Sequence, residues 1–434
     1  MQAERYRSKA WYPILAVGFS MIGFISIKTG RDAVFFSQGG LKQLPLAYIF
    51  IAVAALPTTM IHLKAIERWG SRKVRTGVFL VTTFIFLCFV PFVDIAHKTV
   101  MMALFVLVPG MFAAVFAGAW LLAGDLLEGA DARVTRWAYS RIGAASMLGG
   151  ITGGLLSKGI SIYLAPRFLV VSGAVMLIIA GWLSSRAHRR YPLADTGSVL
   201  STPQGKGADR TSTTANLMFG AVQKELLKQR YIQILFGISG LSALAALYID
   251  FQFYAMATIS SQSHAQFFAN FYIILNLASL ILQLIAAPWM QARLGTGGAL
   301  MVLPTVLVGS AGAVSFTTTI LSRSILKITE GGLKSSIHRS TWEQTFLPID
   351  RERRAIAKTL VDGAFARISE GIGATVLYVW LSSQSTSLEN LQLGWTSWII
   401  IGAILLWIVL TRLLVKLGCS NITEVDNLIR LPDS

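Results

Sequence analysis

The sequence predicts an all-α membrane protein of about twelve transmembrane helices arranged as two sets of six. Of its 434 residues, 54% are hydrophobic and only 14% are charged, and the mean hydropathy is +0.61. Apolar runs recur along the chain, and a helix needs about 20 apolar residues to cross ~30 Å of hydrocarbon. The predicted spans are 11–36, 44–66, 76–93, 100–127, 138–164, 168–185, 231–257, 265–290, 297–320, 322–347, 357–382 and 394–416.

The first apolar run is interpreted as the first span rather than as a signal peptide. It follows the basic residues Arg5, Arg7 and Lys9, as a signal peptide would. However, the run is too long, and no small-residue cleavage site follows it. Because the chain also lacks an organellar transit signature, we expect a multi-pass protein of the bacterial inner (plasma) membrane.

The net charge of +17 follows membrane topology rather than nucleic-acid binding. Lys and Arg cluster at the N-terminus and in alternate loops, such as residues 64–75, whereas the intervening loops carry few basic residues. By the positive-inside rule, both termini are expected to be cytoplasmic. We therefore expect the lipid bilayer, and no nucleic acid, among the partners.

A polar linker divides the chain into two halves. It is rich in Ser, Thr, Gly and Pro, a composition typical of linkers. It ends in NLMFGAVQKELLKQR, which is either an interfacial amphipathic helix or a plain lead-in to the seventh span. The predicted domains are an N-terminal six-helix bundle (1–185), a cytoplasmic linker (186–229), a C-terminal six-helix bundle (230–418) and a cytoplasmic tail (419–434).

Two matches between the halves indicate an internal repeat. SRIGAASMLGGITGG, starting at Ser140, resembles LVDGAFARISEGIGA, starting at Leu360, and Asp32 in GRDAVFF corresponds to Asp250 in YIDFQFY. Both matches give nearly the same offset. A parallel six-plus-six repeat is the architecture of the major facilitator folds. The loop ERWGSRK also resembles the loop between the second and third spans of major facilitator transporters, although Leu63 stands where a glycine would begin the full pattern.

The tenth span carries a stripe of ionisable residues. Its members recur at steps of four, three, four and four, which places them on one helical face. They are Arg323, Lys327, Glu330, Lys334 and His338. A charged side chain that faces lipid costs about 2.5–3.5 kcal/mol, so the stripe must face a polar cavity or other charged groups.

Charges also lie in other spans. They include Lys28, Arg31, Asp32, Arg141, Asp250, Lys358, Asp362, Arg367 and Glu370. We expect the first, seventh, tenth and eleventh spans to surround one polar cavity between the halves, because intramembrane charge usually marks a substrate or ion path. The alternative is that oppositely charged pairs neutralise each other and only hold helices together.

Three segments resemble the ATP/ADP antiporter family, the nucleotide transporters of plastids and obligate intracellular bacteria. They are RDAVFF, IDFQFY and HRSTWEQTFLPIDRERRAIAKTLVDGAFARISEGIG. The resemblance implies nucleotide exchange through a major facilitator fold, with Arg31 and Lys358 as phosphate-binding candidates and Asp362 matching an acid one turn later. The chain departs from the family at ARVTRWAY, where nucleotide carriers have an acidic residue, and at Tyr254, where a basic residue is often seen.

The sequence thus predicts a secondary active transporter that moves a small anionic solute, a nucleotide or other organic phosphate, by alternating access. The alternative is a proton-coupled exporter or importer of another small polar metabolite, such as a carboxylate-rich product. The predicted substrate-binding residues are Arg31, Lys358, Lys334, Lys327 and Arg141. The predicted coupling or charge-pair residues are Asp32, Asp250, Asp362, Glu330, Arg367 and Glu370. With no phosphate loop and no His pair at metal spacing, we expect neither an enzyme nor a cofactor or metal, and we expect a monomer.

Overall fold

In the computed structural model, the chain is helical wherever its backbone is described apart from short connections. The described residues are 2–38, 40–94, 97–127, 130–191, 228–260, 263–317, 319–346, 349, 357, 359–383 and 394–429. Among them, nine helices are long and apolar enough to cross a membrane. Most of the predicted linker and Lys358 lie outside the described residues.

The first half of the chain forms six helices, one for each predicted span. They are α1 (Gln2–Ser37), α2 (Leu44–Trp69), α3 (Ser71–Val93), α4 (Lys98–Leu126), α5 (Ala132–Tyr163) and α6 (Arg167–Arg190). Gly70 separates α2 from α3 with a φ of 81°, a conformation that glycine adopts at little cost. This is the glycine of the ERWGSRK loop, and it makes the tight turn that the loop requires.

The second half contains helices interrupted by π-helical turns. They are α7 (Arg230–Ser260), α8 (His264–Ile281), α9 (Ala287–Ser315), α10 (Ile320–Leu333), α11 (Arg339–Gln344), α12 (Ala366–Ser383) and α13 (Gly394–Ile429). The π-helical turns are Leu282–Ala286, Lys334–His338 and Thr359–Phe365. Gly295, with a φ of 64°, breaks α9 at the predicted boundary between the eighth and ninth spans. The tenth span comprises α10, a π-helical turn and α11, and the eleventh comprises a π-helical turn and α12.

The chain divides into two compact units. The first unit comprises Met1–Pro203, Tyr254–Ile281 and Leu377–Glu389. The second unit comprises Gln204–Phe253, Leu282–Val376 and Asn390–Ser434. The end of α7 and the whole of α8 are thus grouped with the first six helices.

In the first unit, α1 packs closely against α5 through small residues. A Cβ atom added to Gly153 would lie 2.9 Å from the carbonyl oxygen of Ile22, and one added to Gly149 would overlap the backbone of Gly18. These glycines allow the two helix backbones to approach, so that α1 is buried among α4, α5, α6 and α8.

In the second unit, α7 packs against the eleventh span in a similar way. A Cβ atom on Gly240 would lie 2.6 Å from the Oγ atom of Ser369. Gly240 follows Gly18 by 222 positions, close to the 221 that separate Gly371 from Gly150. The first and fifth helices of each half therefore pack through small residues at corresponding positions, as expected of an internal repeat.

Candidate functional site

Asp32 lies at the centre of a buried hydrogen-bond network in the first unit. One carboxylate oxygen, Oδ1, accepts hydrogen bonds from Nε and Nη2 of Arg31 at 2.7 and 2.5 Å. The other, Oδ2, accepts from the hydroxyls of Tyr272 at 2.5 Å and Tyr254 at 3.3 Å. Four donors thus surround a carboxylate that has no exposed surface, which is how buried charges are stabilised in proteins.

Aromatic rings complete the surroundings of the cations in α1. The guanidinium of Arg31 lies 4.1 Å from the ring centroid of Phe105, and the ammonium of Lys28 lies 4.4 Å from that of Tyr272. Both distances fit cation–π contacts. Arg31, whose side chain is only 5% exposed, is therefore paired with Asp32 in this conformation, and its predicted role in substrate binding requires that this pair open.

A second cluster lies in the second unit and joins α7 to α10. The ammonium of Lys327 lies 2.6 Å from a carboxylate oxygen of Asp250 and 2.6 Å from one of Glu330. Glu330 also contacts Lys334, at 3.3 Å. These four residues form a chain of alternating charge. Lys334, at one end, has the most exposed side chain at 43%, whereas that of Glu330 is 6% exposed.

Lys334, the exposed end of this charge chain, lines a cavity of about 420 Å³ within the second unit. Its polar lining is Ser239, Ser242, Lys334, His338, Arg339, Trp342, Glu343, Asp362, Arg367 and Glu370. A cavity of this size suits a small-molecule ligand. The π-helical turns Lys334–His338 and Thr359–Phe365 supply part of the lining, and such turns are frequent at functional sites.

Aromatic rings form one wall of this cavity. The imidazole of His338 stacks on the indole of Trp342 with ring centroids 5.8 Å apart and an interplanar angle of 21°. The indole Nε1 of Trp342 donates a hydrogen bond to Oδ1 of Asp362 at 2.8 Å. Arg367 and Glu370 form an ion pair at 2.6 Å on α12. The cavity therefore combines flat apolar faces with charged groups of both signs.

The structure brings most of the predicted site residues into these two clusters. Arg31 and Asp32 lie in the first, whereas Lys327, Lys334, Asp250, Asp362, Glu330, Arg367 and Glu370 line or adjoin the second. Arg141 is exposed on α5, and its guanidinium lies 4.2 Å from the ring centroid of Trp137. Lys358 lies outside the described residues.

Sequence reasoning missed the neutral residues that hold these charges. Arg323, which is 3% exposed, donates from Nη1 to Oε1 of Gln252 at 2.5 Å and to Oγ of Ser397 at 3.5 Å. The amide of Gln252 in turn donates to Thr396 at 2.6 Å. The charged stripe on the tenth span predicted a polar environment for Arg323. Nothing in the segment IDFQFY indicated that its neutral amide residue, Gln252, would be the partner.

Comparisons with known proteins identify the fold. No protein-family model and no curated protein matches the chain. Among solved structures, a mutant of the nucleoside transporter NupG matches with a TM-score of 0.68 at 12% identity, covering 94% of this chain and 99% of that one. The POT family transporter PepTSo matches with a TM-score of 0.62 at 11% identity, covering 94% and 98%. A bacterial homologue of the iron transporter ferroportin, in an inward-facing state, matches with a TM-score of 0.61 at 14% identity, covering 94% and 98%.

These likenesses, at identities of 11–14%, speak to the fold alone. They confirm the predicted fold class: the chain is an all-α membrane protein with about twelve helices in a major facilitator-type arrangement.

Proposed function

We propose that the protein is a secondary active transporter that moves a small anionic solute, a nucleotide or other organic phosphate, by alternating access. The three structural neighbours are a nucleoside transporter, a POT family transporter and a bacterial homologue of an iron transporter. The observation that carries the proposal is the charged cavity of about 420 Å³ among the helices of the second unit. Ionisable side chains within membrane-spanning helices are energetically costly, and they usually mark a substrate or ion path.

Lys334 is the cation best placed to bind an anion. Its side chain is the most exposed in the charge chain, and its contact with Glu330 is the longest at 3.3 Å. A phosphate oxygen that replaces Glu330 at this ammonium would leave Glu330 paired with Lys327 at 2.6 Å. Charge-assisted bonds of this kind are the strong ones in phosphate recognition. Arg339 and Arg367 line the same cavity and add positive charge.

The aromatic wall favours a ligand with a flat ring. Trp342 and His338 present stacked rings at the cavity, and such rings pack against planar groups. A nucleotide, which joins a planar base to phosphates, satisfies both features. The resemblance to the ATP/ADP antiporter family points to the same class of substrate, and Arg31 and Lys358 are the phosphate-binding candidates that it implies.

A second candidate function rests on the acidic residues of the cavity. Glu343, Asp362 and Glu370 line it beside the cations, so that the two signs nearly balance. This balance favours a proton-coupled exporter or importer of another small polar metabolite, such as a carboxylate-rich product, in which a cavity carboxylate carries the coupling proton. In either case we propose a monomer in the bacterial inner membrane with both termini in the cytoplasm.

Reconstitution into liposomes tests the proposal. Uptake of labelled ATP and ADP is measured with and without unlabelled nucleotide inside, and with and without a proton gradient. Uptake that requires internal nucleotide supports exchange. Absence of nucleotide uptake in vesicles that hold folded protein excludes the nucleotide, and proton-driven uptake of a carboxylate-rich solute then supports the second candidate.

Substitution of Lys334 tests its role in the cavity. A charge-assisted hydrogen bond contributes about 1.5–3 kcal/mol, so we expect Lys334→Gln to lower uptake at limiting substrate by about tenfold or more. The matched control is Lys158→Gln, which removes an exposed lysine from α5 and should leave uptake unchanged. Equal uptake by the two variants would remove Lys334 from the site.

A further inference from the structure

A groove lies between α9 and α13 in the second unit, away from the charged cavity. Its volume is about 550 Å³. It is lined by Gly297, Gly298, Met301, Val409, Arg412, Leu413, Val415 and Lys416. The lining is apolar except for the two basic residues on α13.

Glycines shape the side of the groove that α9 contributes. The helical conformation of α9 is interrupted at Gly295, which has a φ of 64°, and Gly297 and Gly298 follow just after this break. A Cβ atom on Gly297 would lie 2.9 Å from a methyl group of Val415, so a larger residue here would force α13 or this side chain to shift. Because neither glycine projects a side chain, the floor of the groove is formed by Met301 and the aliphatic side chains of α13.

The two basic residues lie one helical turn apart at the rim. At a rise of 1.5 Å per residue, Arg412 lies about 27 Å and Lys416 about 33 Å along the helix axis from Gly394, where α13 begins. A hydrocarbon core is ~30 Å thick, so both cations lie close to its far boundary. Both are exposed, and neither forms an ion pair with any residue that the structure describes.

We propose that this groove binds one anionic phospholipid. The lipid phosphate pairs with Arg412 and Lys416, and one acyl chain lies along Met301, Val409 and Leu413. Basic pockets between transmembrane helices bind anionic head groups in this way. The apolar floor distinguishes a lipid from a free anion, because a free phosphate would leave that surface without a partner. The site is independent of the proposed transport activity.

Native mass spectrometry of the full chain in detergent tests the proposal with two lipids, phosphatidylglycerol and phosphatidylcholine. We expect one phosphatidylglycerol to be retained at least fivefold more strongly than phosphatidylcholine. The double variant Arg412→Gln/Lys416→Gln should abolish this preference. The matched control, Arg186→Gln/Arg189→Gln, removes two exposed basic residues from the last turns of α6 and should retain it.

Two further measurements separate the lipid from other ligands. Leu413→Trp fills the groove from its exposed side and keeps both charges, so it should lower phosphatidylglycerol retention severalfold. Inorganic phosphate at millimolar concentration should not displace the lipid. Equal retention of the two lipids, loss of the preference in the α6 control, or displacement by inorganic phosphate would overturn the proposal.

Discussion

Removal of Lys327 should unbalance the charge chain of the second unit. Its ammonium contacts Asp250 and Glu330, each at 2.6 Å. Lys327→Met removes the cation that Asp250 and Glu330 share, and among the described residues Glu330, only 6% exposed, keeps one cation contact, with Lys334 at 3.3 Å. Breaking a buried pair by removing one partner costs about 3–5 kcal/mol. We expect the lower end, about 3 kcal/mol, because Asp250 is 21% exposed and Lys334 stays beside Glu330.

Thermal unfolding of the purified protein in detergent measures this cost. A loss of about 1 kcal/mol lowers the Tm of a domain of 150–250 residues by about 2–4 °C, so Lys327→Met should lower the Tm by about 6–12 °C. The double variant Asp250→Asn/Lys327→Met restores the charge balance and should recover at least half of the loss. With Asp250→Asn measured alone, the three variants complete a double-mutant cycle, which isolates the contribution of the pair from that of packing.

Lys158→Met is the control for the substitution itself, since it removes an exposed lysine from α5. Its Tm should stay within about 1 °C of the parent value, as for most surface substitutions. A Tm of Lys327→Met equal to that of the control would refute the reasoning. So would a double variant that melts no higher than Lys327→Met.

Two further predictions concern the first unit. Tyr272→Phe, which removes the 2.5 Å hydrogen bond to Asp32, should cost about 1–3 kcal/mol; thermal unfolding should show a larger loss than for Tyr254→Phe, whose bond is 3.3 Å. Gly153→Ala places a Cβ atom 2.9 Å from a backbone carbonyl of α1, so it should cost about 1–3 kcal/mol. Gly143→Ala on the same helix meets no atom within 4 Å and should be neutral or stabilising in the same assay; equal Tm values for the two alanine variants would contradict the close packing of α1 on α5.

The helices were predictable because a bilayer imposes one simple requirement on the sequence. A segment that satisfies its own backbone hydrogen bonds and carries about 20 apolar residues is recognisable by composition alone. Nine of the described helices meet this requirement. The fifth, tenth and eleventh spans do not, since they carry charges or many small residues. They were predicted from shorter or interrupted apolar runs, and the repeat and the charged stripe added that they carry small and ionisable residues.

The ion pairs of the tenth span were partly predictable, and their neutral partners were not. Charges at helical spacing must lie on one face, which indicated that Lys327, Glu330 and Lys334 are neighbours. Tyr272 donates to Asp32 from 240 positions away, and no local pattern encodes that contact. Tyr254 was noted only as a departure from a family pattern, whereas its hydroxyl proves to be a donor to Asp32.

The π-helical turns show a second limit of sequence reasoning. Lys334–His338 and Thr359–Phe365 each contain residues that line the cavity. A π turn adds one residue per turn to an otherwise regular helix, and therefore shifts the face on which later side chains lie. Periodicity at 3.6 residues per turn predicted a stripe from Arg323 to His338, and Lys334 and His338 do line one cavity, but it did not predict the stacking of His338 on Trp342.

The geometry also ranks the predicted substrate-binding cations by how readily each can change partner. Arg31 is held by two bonds of 2.5–2.7 Å to a carboxylate with no exposed surface, so freeing it would leave a buried charge unpaired. Lys327 is held by two carboxylates at 2.6 Å. Among the residues that the structure describes, Lys334 has one ion-pair contact, at 3.3 Å, and its partner Glu330 keeps Lys327 when that contact opens. Of these three cations, Lys334 therefore exchanges its partner for an anion most readily. Neutralising Lys334 should reduce anion binding, and it should leave the Tm closer to the parent value than neutralising Lys327 does.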